Sequence, residues 1–253
     1  MPPEVLLAAP VPDFLRQPLE AAYQVCELAK PSANVRAIVP LGGTQLSIEQ
    51  LTAFPMLEII SVMGVGYDGV PVAWCKERGI RVTCEIAPHH LIFNHEHIGD
   101  YNTHFKMNPP LRTPEDNTAL LQGLKDGFFD VIATDHAPHT PFEKNQDFAS
   151  APFGITGLET ALVSLYDRFI SKGILDWSVI VKRYSAEPRR LFKLPPVPIK
   201  EGGTAEFIVF NPARTTTFSR DFMKSKSVNT PFLDQTLQGM VERVIYRGEE
   251  LKA

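Results

Sequence analysis

The stretch Arg78–Phe93, RGIRVTCEIAPHHLIF, decides how the rest of the chain is read. It opens on Arg-Gly, a helix stop, because glycine enters the left-handed backbone that ends a helix at little cost. "GIRVTCEIA" then gathers β-branched and apolar residues, which predicts a strand. Pro88-His89-His90 closes it with a turn-forming residue and two imidazoles. Helix stop, strand and polar strand end together make the repeating unit of an α/β protein, whose parallel sheet is covered by helices on both faces.

Upstream the same rhythm runs back to the first residues. "EVLLAAP" is a buried-type strand, and Asp13 to Tyr23 carries Phe14, Leu15 and Leu19 at helical spacing, weakened by Pro18. "YQVCEL", "VRAIVP" and "LEIISV" predict further strands. Ser47 and Gln50 spell a capping box before "SIEQLTAF". Pro71 suits the first turn of a helix that Gly79 stops. Within this region Gly64–Gly69, GVGYDG, is a literal G-x-G-x-x-G, and Glu85 lies about where a ribose-binding acid would be sought. The helix after it is short for a dinucleotide-binding crossover.

Downstream, Thr113-Pro114-Glu115-Asp116 caps a helix through "NTALLQGLKDG", ended by Gly127. "DVIATDH" is a strand with a polar end. Leu158, Leu162, Leu165 and Phe169 mark an amphipathic helix closed by Lys172-Gly173, another spans Trp177 to Tyr184, and Pro188 starts a short one. Pro195–Pro198 is a stiff linker. "TAEFIVFNP" and "MVERVIYRG" then predict strands with no helix between them. The segments expected are 1–83, a β/α unit; 84–196, a second β/α region; and 197–253, a β-rich tail.

Composition narrows the classes. The net charge of −4 gives no electrostatic case for nucleic acid or an anionic membrane. No apolar run approaches the ~20 residues of a spanning helix. Glu4 stands where a signal peptide needs basic residues, and the three cysteines lack C-x-x-C spacing, so a cytoplasmic chain with reduced thiols is expected. The 22 prolines favour many defined breaks. All seven histidines fall between His89 and His139, a clustering that points to a site.

"VIATDHAPHT" places Asp135 at the C-terminal end of a strand, with His136 and His139 just beyond. Ligands of α/β proteins sit at that edge. A carboxylate there can bind zinc or move a proton, and an imidazole can hold an anionic substrate. The alternative is a strand-end Asp capping the following turn.

"VTCEIAPHHLIF", "FKMNPPLRTPEDNTALLQGLKDG", "VIATDHAPHTPFEK", "APFGITGLETAL" and the tail "GGTAEFIVFNP…SKSVNTPF…VIYRGE" resemble successive blocks of bacterial-type dihydroorotases, over about residues 82–253. These belong to the amidohydrolase superfamily. The resemblance implies a (β/α)8 barrel with zinc at its C-terminal face, and a metal-activated hydroxide that opens the ring amide of dihydroorotate to N-carbamoyl-aspartate, in pyrimidine biosynthesis. By resemblance Asp135 is a metal ligand and proton shuttle. Asn108 and His139 bind substrate, the backbone at Phe153 and Gly154 helps enclose it, and His89 and His90 are scaffold. The family's first-strand His-x-His pair, its substrate-binding arginine, its bridging residue and two later histidines have no counterpart, since residues 1–83 contain no histidine. His95-Glu96-His97 spells the pair in a loop where the family is variable. One carboxylate cannot hold a zinc ion that wants three or four protein ligands. Zinc, though implied by the family, is therefore not expected to be retained, and the chain is expected to be catalytically incomplete.

Residues 1–83 resemble the N-terminal substrate-domain half of D-2-hydroxyacid dehydrogenases of the glyoxylate/hydroxypyruvate reductase type, through "EVLLAAPVPDFLRQPLEAAY" and "VRAIVPLGGTQLSIEQLTAFPMLEIISVMGVGYDGVPVAWCKERGIRVT". There "GVGYD" is a cleft loop that contacts the substrate carboxylate, and the dinucleotide fingerprint lies in a separate domain. The glycine motif thus reads as a tight turn, Gly69 as a chance third glycine, and no NAD is expected. The fold expected is α/β: a flavodoxin-like parallel-sheet unit joined, within a shared strand at "RGIRVT", to the last β/α units of an amidohydrolase-type barrel that stays incomplete, then the β-rich tail. The chain reads as a chimera. Three roles follow: a dihydroorotase-like amidohydrolase acting on a small molecule, a non-catalytic scaffold that self-associates or partners aspartate transcarbamoylase, and a fragment of an NAD-linked oxidoreductase.

Overall fold

Four apolar runs of the first part build one parallel sheet. In the computed structural model, which describes residues 2–28, 32–64 and 66–251, these are β1 (Glu4–Leu7), β2 (Gln24–Glu27), β3 (Val35–Val39) and β4 (Ile59–Ile60), in the order β2-β1-β3-β4. The two-residue period of a strand sorts their side chains onto two faces. Leu6, Ile38 and Ile60 join one core with Leu51 and Cys75, while Val5, Leu7 and Val39 face the other way among Val11, Leu15 and Leu19. The helices are α1 (Asp13–Ala22), α2 (Ile48–Thr52) and α3 (Val72–Glu77). α1 runs through Pro18 and buries no residue fully. The Ser47 capping box forms as expected, with Ser47 Oγ accepting from the Gln50 N–H at 3.1 Å and Gln50 Oε1 accepting from the Ser47 N–H at 2.8 Å.

Gly69 is not a chance glycine. A Cβ there would lie 1.9 Å from the carbonyl oxygen of Thr44, so only glycine permits this approach of two backbones. Gly64 and Gly66 have φ of 94° and 91°, the backbone region expected of a glycine turn.

A second compact unit begins at Cys84. It contains β5 (Glu85–Ile86), α4 (Pro88–Ile92), α5 (Pro114–Lys125), β6 (Val131–Ile132), α6 (Pro141–Lys144), α7 (Ala161–Leu165), α8 (Trp177–Ile180) and α9 (Glu187–Leu191). A π-helical turn, Tyr166–Ile170, continues α7, and another, Val181–Ala186, joins α8 to α9. β5 and β6 pair in parallel. The tail forms an antiparallel sheet of β7 (Phe207–Thr217), β8 (Thr236–Tyr246) and β9 (Glu249–Leu251), with β8 central. α7 serves two cores: Leu165 packs with Ile86, Leu124 and Ile132, and Val163 with Phe93, Met107, Phe218 and Phe232.

"GIRVTCEIA" is not one strand. Arg81 bridges to Ile59 in the first sheet, whereas Glu85 and Ile86 pair with Val131 and Ile132 in the second unit. The break has a local cause: the Cys84 N–H donates to the Asp130 carboxylate at 2.9 Å instead of to a neighbouring strand. After Ala87 the chain turns into α4, with Pro88 in its first turn. No helix among the described residues is long and apolar enough to cross a membrane.

Candidate active site

β6 ends at Ile132, and three residues later Asp135 takes a left-handed backbone with φ of 50°. Aspartate tolerates this region better than most residues, yet it remains an uncommon state that clusters at functional positions. Asp135 is exposed, and its Oδ2 lies 3.8 Å from Nε2 of His89 in α4. That separation exceeds a hydrogen bond. His89 is 3% exposed, and its Nε2 has no hydrogen-bond partner among the described residues. Burial, followed by neighbouring His90, pushes its pKa down to about 3, so the ring is neutral near pH 7. Burial also lowers the pKa of His90, opposed by the hydrogen bond of its Nε2 to the Pro109 carbonyl at 2.9 Å and by Asp135. Removal from water, then the charge of Asp135, raises the carboxyl of Glu85. Two imidazoles and two carboxylates thus gather where β5 and β6 end.

Four of the remaining five histidines are committed elsewhere. His136 Nδ1 accepts from the N–H groups of Gly157 (3.1 Å) and Leu158 (3.3 Å). In the neutral ring the proton therefore sits on Nε2, which faces Ser225 Oγ at 3.5 Å. Ser225 in turn donates to Glu159 Oε1 at 2.6 Å. This trio spells serine, histidine and carboxylate, but the imidazole is wired as a donor to the hydroxyl and cannot take its proton. His139 Nε2 bonds the Phe153 carbonyl at 2.9 Å, and its backbone N–H donates to Asn229 Oδ1 at 3.0 Å. His95 Nδ1 bonds the Arg112 carbonyl, and His97 completes a capping box with Asn94 around the 3-10 turn His95–Ile98.

Hydrogen bonds tie together several of the segments singled out from sequence. His90 holds the carbonyl of Pro109, next to the exposed Asn108. The Gly154 N–H donates to the Lys106 carbonyl at 2.8 Å. Asn229 Nδ2 donates to the carbonyls of Ala137 (3.0 Å) and Gly154 (3.3 Å). Gly154 has φ of 98°, and a Cβ on it would lie 2.6 Å from that of Ala137. His139, Phe153 and Gly154 are linked in this way, Asn108 adjoins the bonded Pro109, and Asp135 meets His89 only at 3.8 Å. Sequence reading passed over Lys106, Lys144 and Asn229.

The donors present do not fit a catalytic zinc ion. Among the described residues no three of His, Cys, Asp and Glu come together as a metal site. Asp135 faces His89 at 3.8 Å, and the rings of His90, His136 and His139 each have one nitrogen turned to backbone groups.

Residues 13–86 match the family model for the D-isomer specific 2-hydroxyacid dehydrogenase, catalytic domain. The dihydroorotase of Carboxydothermus hydrogenoformans is 38% identical over 221 residues, covering 83% of this chain and 51% of the relative. That of Halalkalibacterium halodurans is 45% identical over 174 residues, covering 69% and 41%. The chain thus spans about half or less of the curated relatives it matches, and the longer match runs into the region shared with the dehydrogenase model. Among solved structures, the L-hydantoinase of Arthrobacter aurescens aligns with a TM-score of 0.68 at 19% identity, over 98% of this chain and 63% of that one. A D-hydantoinase from Bacillus sp. AR9 gives 0.68 at 19%, over 97% and 68%. These structures carry the likeness of fold to amidohydrolase barrels. The chain is a hybrid by resemblance: about residues 82–253 resemble the C-terminal part of a bacterial-type dihydroorotase, and the residues before them resemble a 2-hydroxyacid dehydrogenase.

Proposed function

We propose that the second unit is the ligand-facing part of a dihydroorotase-type cyclic amidohydrolase, and that this chain alone is catalytically incomplete. The observation that carries the reading is Asp135, held in a left-handed backbone at a strand end and facing a single buried imidazole. Its carboxylate is an acceptor for a ring N–H. The neutral His139 ring gives its Nε2–H to the Phe153 carbonyl and leaves Nδ1 as an acceptor for a ring N–H, and the amide of Asn108 offers a donor and an acceptor. Such a set can hold a planar cyclic amide without activating water. On this reading 84–196 is a partial barrel, 197–253 is its β-rich tail, and 1–83 is a flavodoxin-like unit that brings no dinucleotide site.

The test is an assay of the purified chain with dihydroorotate, with and without added zinc, alongside thermal unfolding with the same ligand. We expect no N-carbamoyl-aspartate and a melting temperature that rises with ligand, since a ligand that binds only the folded state stabilises it. Zinc-dependent hydrolysis overturns the incompleteness, and a melting temperature indifferent to millimolar ligand overturns the binding. The open edges of β7 and β9 favour a scaffold as the second reading, with self-association or a transcarbamoylase partner. Gel filtration at rising concentration, alone and with transcarbamoylase, decides it.

A further inference from the structure

We propose that Lys106 and Lys144 are positioning residues whose buried head groups clamp the loop 149–154, and with it Phe153 and Gly154, against the strand-end edge that carries Asp135. Lys144 is 2% exposed and Lys106 9%, unusual for a residue type that almost always keeps its head group in water. Each head group is turned onto backbone oxygens of the same loop. Lys106 Nζ donates to the carbonyls of Ala149 (2.8 Å) and Ala151 (2.5 Å). Lys144 Nζ donates to those of Pro152 (2.9 Å) and Gly154 (3.2 Å). His139 takes the carbonyl of Phe153 between them. Every carbonyl from Ala151 to Gly154 therefore ends on a side-chain donor.

This arrangement explains why lysine is used. A loop that turns four successive carbonyls onto side chains supplies no backbone donors of its own to meet them, and a buried carbonyl without a partner is costly. An ammonium has three N–H groups on one small head, enough for two carbonyls and a further contact. For Lys106 that contact is the Phe153 ring, whose centroid lies 4.7 Å from Nζ. The main chain of Lys106 also anchors the loop, and that of Lys144 ties its own segment to Thr103. The Lys106 carbonyl accepts the Gly154 N–H at 2.8 Å, and the Lys144 carbonyl accepts from Thr103 Oγ1 at 2.5 Å. Because Lys106 stands two residues before Asn108, one side chain couples both segments expected to meet the ligand. Burial, then the charge of Lys106, pushes the pKa of Lys144 down to about 8. Its neutral amine keeps two N–H groups, one for each of its two carbonyls, so the clamp survives that titration.

The first test needs no substitution. In the chain labelled with 15N-lysine, two ζ nitrogens should show slowly exchanging protons and coupling across hydrogen bonds to carbonyl carbons within 149–154. Lysine signals that all exchange at the surface rate overturn the proposal. Next, Lys106→Met should raise amide exchange across 149–154 about tenfold or more, while β7 and β8 exchange at the parent rate, and Lys106→Arg should recover most of the protection. Unchanged loop exchange overturns the clamp, as does an equal rise across the whole unit, which marks a general loss of stability. A last arm rests on the dihydroorotase reading: Lys106→Met should weaken dihydroorotate binding about tenfold, with recovery in Lys106→Arg. A parent chain that binds no dihydroorotate defeats that reading, and loop exchange still judges the clamp.

Discussion

A buried ring nitrogen without a partner works against folding, and His89 Nε2 is such an atom. His89→Leu, which fills similar space without the orphaned nitrogen, should hold or raise the melting temperature. A loss of about 3 kcal/mol or more would mean that the nitrogen is satisfied in solution. Lys144 supplies a pH dependence. Its folded pKa of about 8 lies below the ordinary 10.5, so between those values the unfolded chain holds the extra proton. Stability therefore climbs as pH rises through that window, by at most about 1.4 kcal/mol per pH unit from this group. Lys106 and His104 are the titratable groups whose own state bears on it or answers to it. Urea midpoints measured from pH 8 to 10 should show a rise in the parent that Lys144→Met flattens. At this scale the sequence was partly legible. The cluster from His89 to His139 and the strand-end Asp135 stood out because imidazoles and carboxylates are recognisable by type. The lysines did not, because nothing in a lysine's neighbours along the chain reveals that its head group will be buried.

Helix starts were the most readable elements, because a capping box is a contact between residues three apart and needs no distant partner. Ser47 with Gln50 and Thr113 with Asp116 both formed. Ser47→Ala should cost about 1 kcal/mol, read from urea unfolding followed by a probe in the first unit; a loss within error would show that the cap is not holding α2. Strands were less readable. "LEIISV" yields only Ile59–Ile60 as strand, and "GIRVTCEIA" divides between two sheets. Apolar alternation reports burial, whereas a strand also needs a neighbour offering hydrogen bonds in register, and that neighbour lies far away in sequence. The helix expected from Leu158 begins at Ala161, after the backbone N–H groups of Gly157 and Leu158 have been taken by His136.

Across the whole chain, the composite character was legible because it rests on ordered blocks of residues rather than on any one of them. The dehydrogenase model and the dihydroorotase relatives match different but overlapping stretches, consistent with two strand–helix patterns that look alike near Arg78-Gly79. Val82 and Thr83 are where this matters physically. Arg81 belongs to one hydrogen-bonded ladder and Glu85 to another, and the Cys84 N–H is tethered to Asp130. Thr83 is exposed and belongs to neither ladder. A short glycine-serine guest peptide spliced in after Thr83 should therefore be accommodated, leaving the far-ultraviolet circular dichroism and the amide protection of Ile38 and Ile132 as they were. Loss of protection at Ile132 would instead mean that the chain entering Cys84 must arrive under tension. The splice point thus offers a place to lengthen, label or sever the chain while both ladders stay intact.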